Sequence, residues 1–212
     1  MSAPEIPRQS IGDVRRAELI DAAVITLARQ GYKKTTVRDV ARAAGTSPGS
    51  VLYYFDSTEA LLAAAFERAD KQFRDRVRGE LEPLHGAARL RRLVELCLPT
   101  PAEASPAWDI EMDLWSLSAR RTDFRAIFQA ANDDWLAVLT EAFEQAIAAR
   151  ELTEVPDVGE AVMALAALID GLAVYTRVTD TITAASARRI ALHEVERLCA
   201  RGNASSDNQE HE

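Results

Sequence analysis

The stretch TTVRDVARAAGTSPGSVLYYFDSTEALL, residues 35–62, is punctuated by several signals for helix starts and ends. Thr36 and Asp39 have the spacing of a capping box, and the apolar residues that follow recur at helical spacing. Gly45 predicts the positive φ angle that ends a helix at low cost, and Ser47-Pro48 predicts an N-cap followed by proline at the first helical position. The stretch therefore predicts a short helix, a tight turn and a second short helix.

A third helix follows, capped by Asp56 or Ser57 and with Glu59 in its first turn. Two short helices joined by a glycine turn have the geometry of a helix-turn-helix, whose second helix enters the DNA major groove. An ordinary helical hairpin explains the apolar positions equally well. It does not explain the polar and aromatic side chains of the second helix, among them Tyr53 and Tyr54, whose hydroxyls are good phosphate ligands.

A longer segment, RRAELIDAAVITLARQGYKKTTVRDVARAAGTSPGSVLYYFDSTEALLAAAF (residues 15–66), resembles the N-terminal DNA-binding domain of TetR-family transcriptional regulators. The resemblance rests on GY at residues 31–32, TT at 35–36, AGTS at 44–47 and YYF at 53–55. It implies that residues 13–73 form a helix-turn-helix domain that binds double-stranded, pseudo-palindromic operator DNA.

The resemblance and the helix pattern together predict a set of DNA contacts on the two short helices and the residues that flank them. In that family the start of the fourth helix usually carries a lysine that contacts phosphate, whereas this chain has Thr58 there. One electrostatic contact is missing, which flattens the expected salt dependence of binding. The predicted DNA-binding residues are Lys34, Thr36, Val37, Arg38, Thr46, Ser47, Pro48, Gly49, Ser50, Tyr53, Tyr54 and Thr58.

Length and composition set further bounds. The 212 residues are enough for two helical domains with buried cores. The N-terminus lacks the apolar core of a signal sequence, and no apolar run suggests a membrane span, so we expect a cytoplasmic protein with no membrane partner. Two cysteines are too few for a disulfide framework or a metal cluster, and we expect no metal and no cofactor.

The net charge of −8 at first opposes DNA binding, but the charge is unevenly divided. Residues 1–100 carry 16 Lys and Arg against 13 Asp and Glu, a net charge of +3. Residues 101–212 carry 9 against 20, a net charge of −11. Because the first half is mildly basic, its surface need not share the sign of the whole chain.

The rest of the chain has helical apolar spacing nearly throughout, with breaks at residues 79–86, 99–107 and 151–157. The sequence predicts an all-α fold: a three-helix DNA-binding domain joined by a long helix to a larger C-terminal helical domain at residues 74–202. Residues 203–212 are polar and predict a disordered tail.

The C-terminal half is expected to bind an effector and to form a homodimer. The helix at residues 158–178 is apolar on too many sides for a surface helix. The resemblance implies that the last two helices pair with their copies in a second subunit, and a two-fold operator requires such a dimer. The sequence ALIDGL at residues 167–172 also resembles the betaine/choline-type regulators of the family.

Aromatic residues are concentrated in the middle helices, with Trp108, Met112 and Trp115 on one helical face. Such a stripe is usually hydrophobic core. The alternative is an effector cavity, in which tryptophans beside carboxylates suit a cationic or amphipathic ligand. The predicted ligand-binding residues are Trp108, Glu111, Met112, Trp115, Phe128, Trp135, Asp170 and Tyr175.

Two classes of function are compatible with a helical chain of this kind. The first is a ligand-responsive transcriptional regulator, a repressor released from its operator by a small molecule. The second is a small helical enzyme or an interaction protein that does not bind DNA. His85, His193 and His211 are isolated in the sequence, with no nucleophile or metal-ligand spacing around them. We therefore expect no catalytic residues and a regulator rather than an enzyme.

Overall fold

The computed structural model describes residues 8–99, 107–152 and 155–204. Within these ranges the chain is helical and contains no strand, so the all-α prediction is confirmed. A single 3₁₀ turn, Tyr32–Lys34, separates the first two helices. The helices are α1 (Arg8–Gln30), α2 (Val37–Ala43), α3 (Pro48–Tyr54), α4 (Thr58–Leu81), α5 (Ala87–Cys97), α6 (Ala107–Ser118), α7 (Thr122–Ala148), α8 (Val158–Val178) and α9 (Ala184–Ala204).

The chain divides into two compact units. The first contains Met1–Phe73 and Pro106–Gln129, and the second contains Arg74–Ser105 and Ala130–Glu212. Helix α6 and the beginning of α7 therefore belong to the same unit as the helix-turn-helix. We retain the predicted domains of residues 13–73 and 74–202 as a proposal.

The predicted capping box of α2 is present. The Thr36 hydroxyl accepts a hydrogen bond from the Asp39 amide at 3.3 Å, and the Asp39 carboxylate accepts one from the Thr36 amide at 3.2 Å. These bonds satisfy two backbone donors that a helix start leaves unpaired. Gly45 then has a φ of 61°, which a side chain would disfavour, and the chain turns sharply.

Capping also fixes the next two helices. Ser47 is the N-cap of α3, and its hydroxyl accepts a hydrogen bond from the Ser50 amide at 3.2 Å, with Pro48 as the first helical residue. Of the two candidates before α4, Ser57 is the one whose hydroxyl accepts from the Ala60 amide, at 3.0 Å. Three successive helix starts are thus set by local hydrogen bonds that the sequence spacing predicts.

One hydrophobic core fills the first unit. Its fully buried side chains come from α1, α2, α3 and α4 and also from α6 and α7, so the helix-turn-helix does not have a core of its own. At about 25 cal/mol per Å² of apolar surface, the burial of such side chains is the main stabilising contribution. The core includes Leu19, Leu27, Val40, Val51, Leu61, Phe66, Ile110, Leu114 and Phe124.

The second unit is a bundle in which α9 packs against α5 and α8. Arg188 on α9 donates to the carbonyl oxygens of Leu98 at 2.9 Å and of Glu95 at 3.2 Å, at the C-terminal end of α5. A cation there satisfies carbonyls that lack a helical partner and complements the helix dipole. Arg91 and Glu196 add an ion pair of 2.6 Å between α5 and α9.

From the sequence we expect no apolar run long enough to span a membrane, and helix α8 differs from that expectation. Among the described residues it is the one helix that is long and apolar enough to cross a membrane by length and composition, with a mean hydropathy of 1.7. Its exposed apolar residues include Met163, Tyr175 and Val178. Helix α9 continues to Ala204, so residues 203 and 204 of the predicted tail are helical. Residues 205–212, and residues 100–106 of the predicted break, lie outside the described ranges.

Candidate DNA-binding surface and ligand site

The twelve predicted DNA contacts lie within one short segment of the first unit. Lys34 ends the 3₁₀ turn, Thr36 caps α2, and Thr58 is the first residue of α4. The others lie on α2, in the turn after it and on α3. We call this segment, residues 34–58, the DNA-binding surface.

The outer face of α3 is unusually apolar for a surface in water. The Tyr53 side chain is 82% exposed and that of Leu52 is 53% exposed, while Val51 and Phe55 are buried on the opposite side. The Tyr53 ring meets the edge of the half-buried Tyr54 at a centroid distance of 5.1 Å. Leu52 was not among the predicted contacts. Leu52 lies four residues after Pro48, a predicted contact, and this spacing places the two residues on one helix face. The spacing could therefore have indicated Leu52 from the sequence.

Some predicted DNA contacts also have structural roles in the free protein. The Thr36 hydroxyl donates to the Asp39 carboxylate at 2.5 Å. That bond is the largest cause of a pKa of Asp39 below its ordinary value. Hydrogen bonds from Gln30 and from the Thr36 amide lower the pKa further, by smaller amounts. The Val37 side chain is half-buried and packs against the core of the unit. These residues shape the surface whether or not they touch DNA.

Exposed cations lie on the DNA-binding surface or directly beside it. Lys33 and Lys34 end the 3₁₀ turn, and Arg38 is exposed on α2. Arg42 pairs with Asp39 at 3.2 Å, whereas Arg38 makes no ion pair with any described residue. Lys33 and Lys34 likewise make no ion pair with a described residue, so each of the three can meet a phosphate or a base edge without first leaving an acidic partner.

Three predicted ligand residues form an aromatic cluster in the first unit: Trp108, Trp115 and Phe128. The two tryptophan rings meet edge to face at 5.9 Å, and Trp115 meets Phe128 in the same manner at 6.3 Å. The Trp115 indole nitrogen donates to the Glu111 carboxylate at 3.0 Å, which fixes the ring and places a negative charge beside it. All three rings are half-buried, so the cluster is accessible rather than fully enclosed in core.

The other predicted ligand residues are in different surroundings. Met112 is half-buried on α6 of the first unit. In the second unit, Trp135 is half-buried on α7, and Tyr175 is 55% exposed on α8. Asp170, on apolar α8, has no hydrogen-bond partner among the described residues, and burial raises its pKa to about 6.

The second unit also contains an open groove of about 340 Å³. None of the eight predicted ligand residues belongs to its lining, which is largely charged: Arg78, Leu81, Glu82, Arg89, Asp134, Ala137, Val138 and Glu141. No group of three or more His, Cys, Asp or Glu side chains that could hold a metal ion occurs in the described ranges.

The capped helix pair, the exposed tyrosine and the cations define a helix-turn-helix DNA-binding protein with a further helical region. Residues 19–65 match the family described as bacterial regulatory proteins, tetR family. Residues 86–200 match the family described as BetI-type transcriptional repressor, C-terminal. The chain belongs to the TetR family of transcriptional regulators, in its BetI-type branch. It is a ligand-responsive repressor that binds operator DNA as a homodimer.

Individual relatives agree with this assignment. The chain is 30% identical to the HTH-type transcriptional regulator BetI of Cronobacter sakazakii over 170 residues, 79% of this chain and 81% of that protein. It is equally 30% identical to BetI of Escherichia coli K12 / DH10B, over 79% of this chain and 84% of the relative.

Solved structures show the same fold. A regulator from Saccharomonospora viridis, determined in complex with choline, has a TM-score of 0.79 and 28% identity, covering 87% of this chain and 96% of its own. A TetR-family regulator from a Rhodococcus species has a TM-score of 0.74 and 24% identity, covering 88% and 99%.

The environment of Asp170 predicts a pH dependence of stability. A carboxyl group whose pKa is raised from 3.8 to about 6 binds its proton more tightly in the folded state, so the contribution of Asp170 to stability is most favourable below pH 4 and is lost as pH rises to about 6. The full loss is at most about 3 kcal/mol, because each tenfold change in proton affinity corresponds to about 1.4 kcal/mol. Asp170→Asn should therefore be more stable than the unmodified protein at pH 7.5 and equal to it near pH 4.

Urea unfolding at fixed protein concentration measures this difference. Glu160→Gln, which changes an exposed carboxylate on the same helix, is the matched control. Equal unfolding free energies for Asp170→Asn and the unmodified protein at pH 7.5 would contradict the prediction.

Proposed function

We propose that the effector of this repressor is a small quaternary ammonium compound of the size of choline, bound at the aromatic cluster. The observation that carries the proposal is the mutual contact of the Trp108, Trp115 and Phe128 rings, with the Glu111 carboxylate hydrogen-bonded to the Trp115 indole. Tryptophan faces attract a cation within about 6 Å of the ring centroid, and the attraction is largest where water is excluded. A quaternary ammonium group cannot donate an N–H hydrogen bond, so ring faces and a nearby carboxylate are the chemistry that recognises it.

The similarity to the Saccharomonospora viridis regulator supports the same ligand class, because that protein was determined in complex with choline. Asp170 in the second unit is a separate candidate for pairing with a cation, since burial raises its pKa and it has no hydrogen-bond partner among the described residues. A cation placed beside it would lower that pKa.

Choline titrated into the protein should change tryptophan fluorescence, whereas 3,3-dimethyl-1-butanol, which has the same shape without the charge, should not. Trp115→Leu should weaken choline binding by about 2- to 30-fold, the range expected for one cation–π contact. Ser116→Ala changes an exposed position of the same helix and should leave choline affinity unchanged.

Glu111→Gln separates charge from geometry. The Gln side chain keeps an oxygen that can accept from the Trp115 indole, so the ring stays in place while the negative charge is lost. Choline affinity should fall in this variant. If choline and its uncharged analogue bind equally in the unmodified protein, the proposed ligand class is wrong.

For the DNA-binding surface we propose that different residues contact the phosphates and the base edges. Tyr53 and Tyr54 contact backbone phosphates, and Arg38, Ser47 and Ser50 lie nearest the base edges. The exposure of Tyr53 and of Arg38 supports these roles. The remaining proposed contacts are Lys34, Thr36, Val37, Thr46, Pro48, Gly49 and Thr58.

Tyrosine-to-phenylalanine changes test this division because they remove only the hydroxyl. Tyr53→Phe and Tyr54→Phe should weaken binding to matched and mismatched operators alike. Arg38→Ala should instead lose about 1–3 kcal/mol of discrimination at one base pair. Fluorescence anisotropy with a set of single-mismatch operators measures both effects. A Tyr variant that lost discrimination while Arg38→Ala lost none would reverse the assignment.

We further propose that the dimer forms through α8 and α9, in the cytoplasm, and that the protein has no enzymatic activity. Beyond its first turn, the exposed positions of α8 recur every three or four residues and are small or apolar. A second copy of the chain would cover this face. The exposed positions are Met163, Ala164, Ala167, Gly171, Tyr175 and Val178.

Ala167→Glu should convert the dimer to a monomer, because it places a charge in the centre of that face while leaving the monomer core intact. Ala126→Glu makes the same change at an exposed position of α7 and should leave the dimer intact. Light scattering at micromolar concentration gives the mass of each. A dimeric Ala167→Glu variant would exclude this face as the interface.

A further inference from the structure

The start of the helix-turn-helix is held by a residue that lies far outside it in sequence. Helix α1 ends at Gln30, where the Gly31 amide donates to the Leu27 carbonyl at 2.8 Å. The next amide, that of Tyr32, points away from α1 and donates to the Asp113 carboxylate of α6 at 2.6 Å. A hydrogen bond to a carboxylate is about twice as strong as one between neutral groups.

Gly31 makes this contact possible in two ways. Its backbone has φ 74° and ψ 168°, a conformation that is essentially restricted to glycine. A Cβ atom there would also lie 3.2 Å from the Asp113 carboxylate oxygen. The chain therefore bends at Gly31 so that α6 can approach the backbone.

The Tyr32 side chain is held by the same part of the chain. Its ring lies 6.3 Å from that of Phe66 and meets Phe124 edge to face at 5.6 Å, centroid to centroid. Its hydroxyl accepts a hydrogen bond from the Arg121 guanidinium at 3.2 Å, and Arg121 is itself paired with Asp123 at 2.7 Å. Residues 113–124 therefore contact both the backbone and the side chain of Tyr32 and hold them in place.

The position of Tyr32 determines where α2 begins. Tyr32 opens the 3₁₀ turn that leads to the N-cap of α2, and the Thr35 hydroxyl donates back to the Gly31 carbonyl at 2.8 Å. The Gln30 side chain spans the same turn and donates to the Lys34 carbonyl at 2.8 Å. A shift of Tyr32 is therefore passed through a short, hydrogen-bonded turn to the first residues of the DNA-binding surface.

Helix α6 carries two sets of contacts on different faces. Ile110 and Leu114 are buried in the core beneath the helix-turn-helix, and Asp113 holds Tyr32. Trp108 and Trp115, on the same helix, belong to the aromatic cluster. Within the first unit, a displacement of α6 by a ligand at the cluster must also move the carboxylate that holds Tyr32.

We propose that Asp113 and Arg121 are positioning residues for operator binding: they hold Tyr32 in the orientation that the DNA-bound form of α2 and α3 requires. The operator affinity of the repressor then depends on α6, although α6 touches no DNA. A second part of the proposal rests on the proposed function: a ligand at the aromatic cluster lowers operator affinity through Asp113.

The direct experiment compares two substitutions of one residue. Asp113→Ala removes the acceptor, and operator affinity should fall roughly tenfold if the binding-competent fraction of molecules falls to about a tenth. Asp113→Asn keeps an oxygen that accepts from the Tyr32 amide and should restore most of the affinity. Anisotropy titrations are run well below the melting temperature of each variant, with circular dichroism as the check on folding.

Two results would overturn the role of Asp113. If Asp113→Ala melts at a lower temperature but binds operator as well as the unmodified protein, the residue is only structural. Equal losses of operator affinity in Asp113→Ala and Asp113→Asn would also contradict the proposal, because the asparagine keeps the acceptor.

The second positioning residue has a neighbour that serves as its control. Arg121→Ala should weaken operator binding roughly threefold through the lost hydrogen bond to the Tyr32 hydroxyl. Arg120→Ala removes the same charge from an exposed position and should have no such effect. Tyr32→Phe should reproduce the loss, and its combination with Arg121→Ala should cost no more than either change alone. Equal effects of the two arginine substitutions would show that only net charge matters and would overturn the role of Arg121.

Choline binding is measured separately from operator binding. In Asp113→Ala, choline should bind at least as tightly by tryptophan fluorescence, because it no longer has to break that hydrogen bond, but it should no longer weaken operator binding. Unchanged release by choline in this variant would overturn the coupling through Asp113. If choline fails to bind even the unmodified protein, the proposed effector is wrong, while the operator measurements still test the positioning role.

Discussion

The hydrogen bond between the Tyr32 amide and the Asp113 carboxylate ties the turn that leads into the helix-turn-helix to helix α6. It joins two segments that are 81 residues apart in sequence, and it does so at the turn where α1 ends. The aromatic contacts of Tyr32 with Phe66 and Phe124 close the core around that turn. A short helix pair buries too little apolar surface to be stable alone, and its core here is shared with α1, α4, α6 and the start of α7.

Most of the fold could be predicted from the sequence because its determinants are local. Helix starts at Thr36, Ser47 and Ser57 each follow from a hydroxyl that caps the backbone amide three residues later. Gly45 marks the turn because a positive φ angle costs other residues free energy. Apolar periodicity gives the longer helices, whose bounds depend only on neighbours within a turn or two. These signals require no knowledge of tertiary contacts.

The functional surroundings could be predicted only in part, since they depend on contacts between distant segments. The spacing of Trp108 and Trp115 placed them on one face of α6, but the approach of Phe128 from the next helix is a matter of packing. In the sequence, Asp113 is one of several carboxylates on a helix, and nothing near it indicates that it accepts from the Tyr32 amide. The exposure of Leu52 likewise depends on which face of α3 the core covers.

The division of charge explains how an acidic protein presents a surface that suits DNA. The first half is only mildly basic, so its carboxylates must be kept from opposing the phosphates. Several of them are already engaged: Glu18 pairs with Arg15, Asp21 pairs with Arg68, and Asp39 caps α2 and pairs with Arg42. The exposed cations Lys33, Lys34 and Arg38 lie at the start of the DNA-binding surface or directly beside it, and at physiological salt an exposed charge acts over only about 8 Å. The acidic excess falls in residues 101–212, outside the DNA-binding surface, where it favours solubility without placing carboxylates among the proposed phosphate contacts.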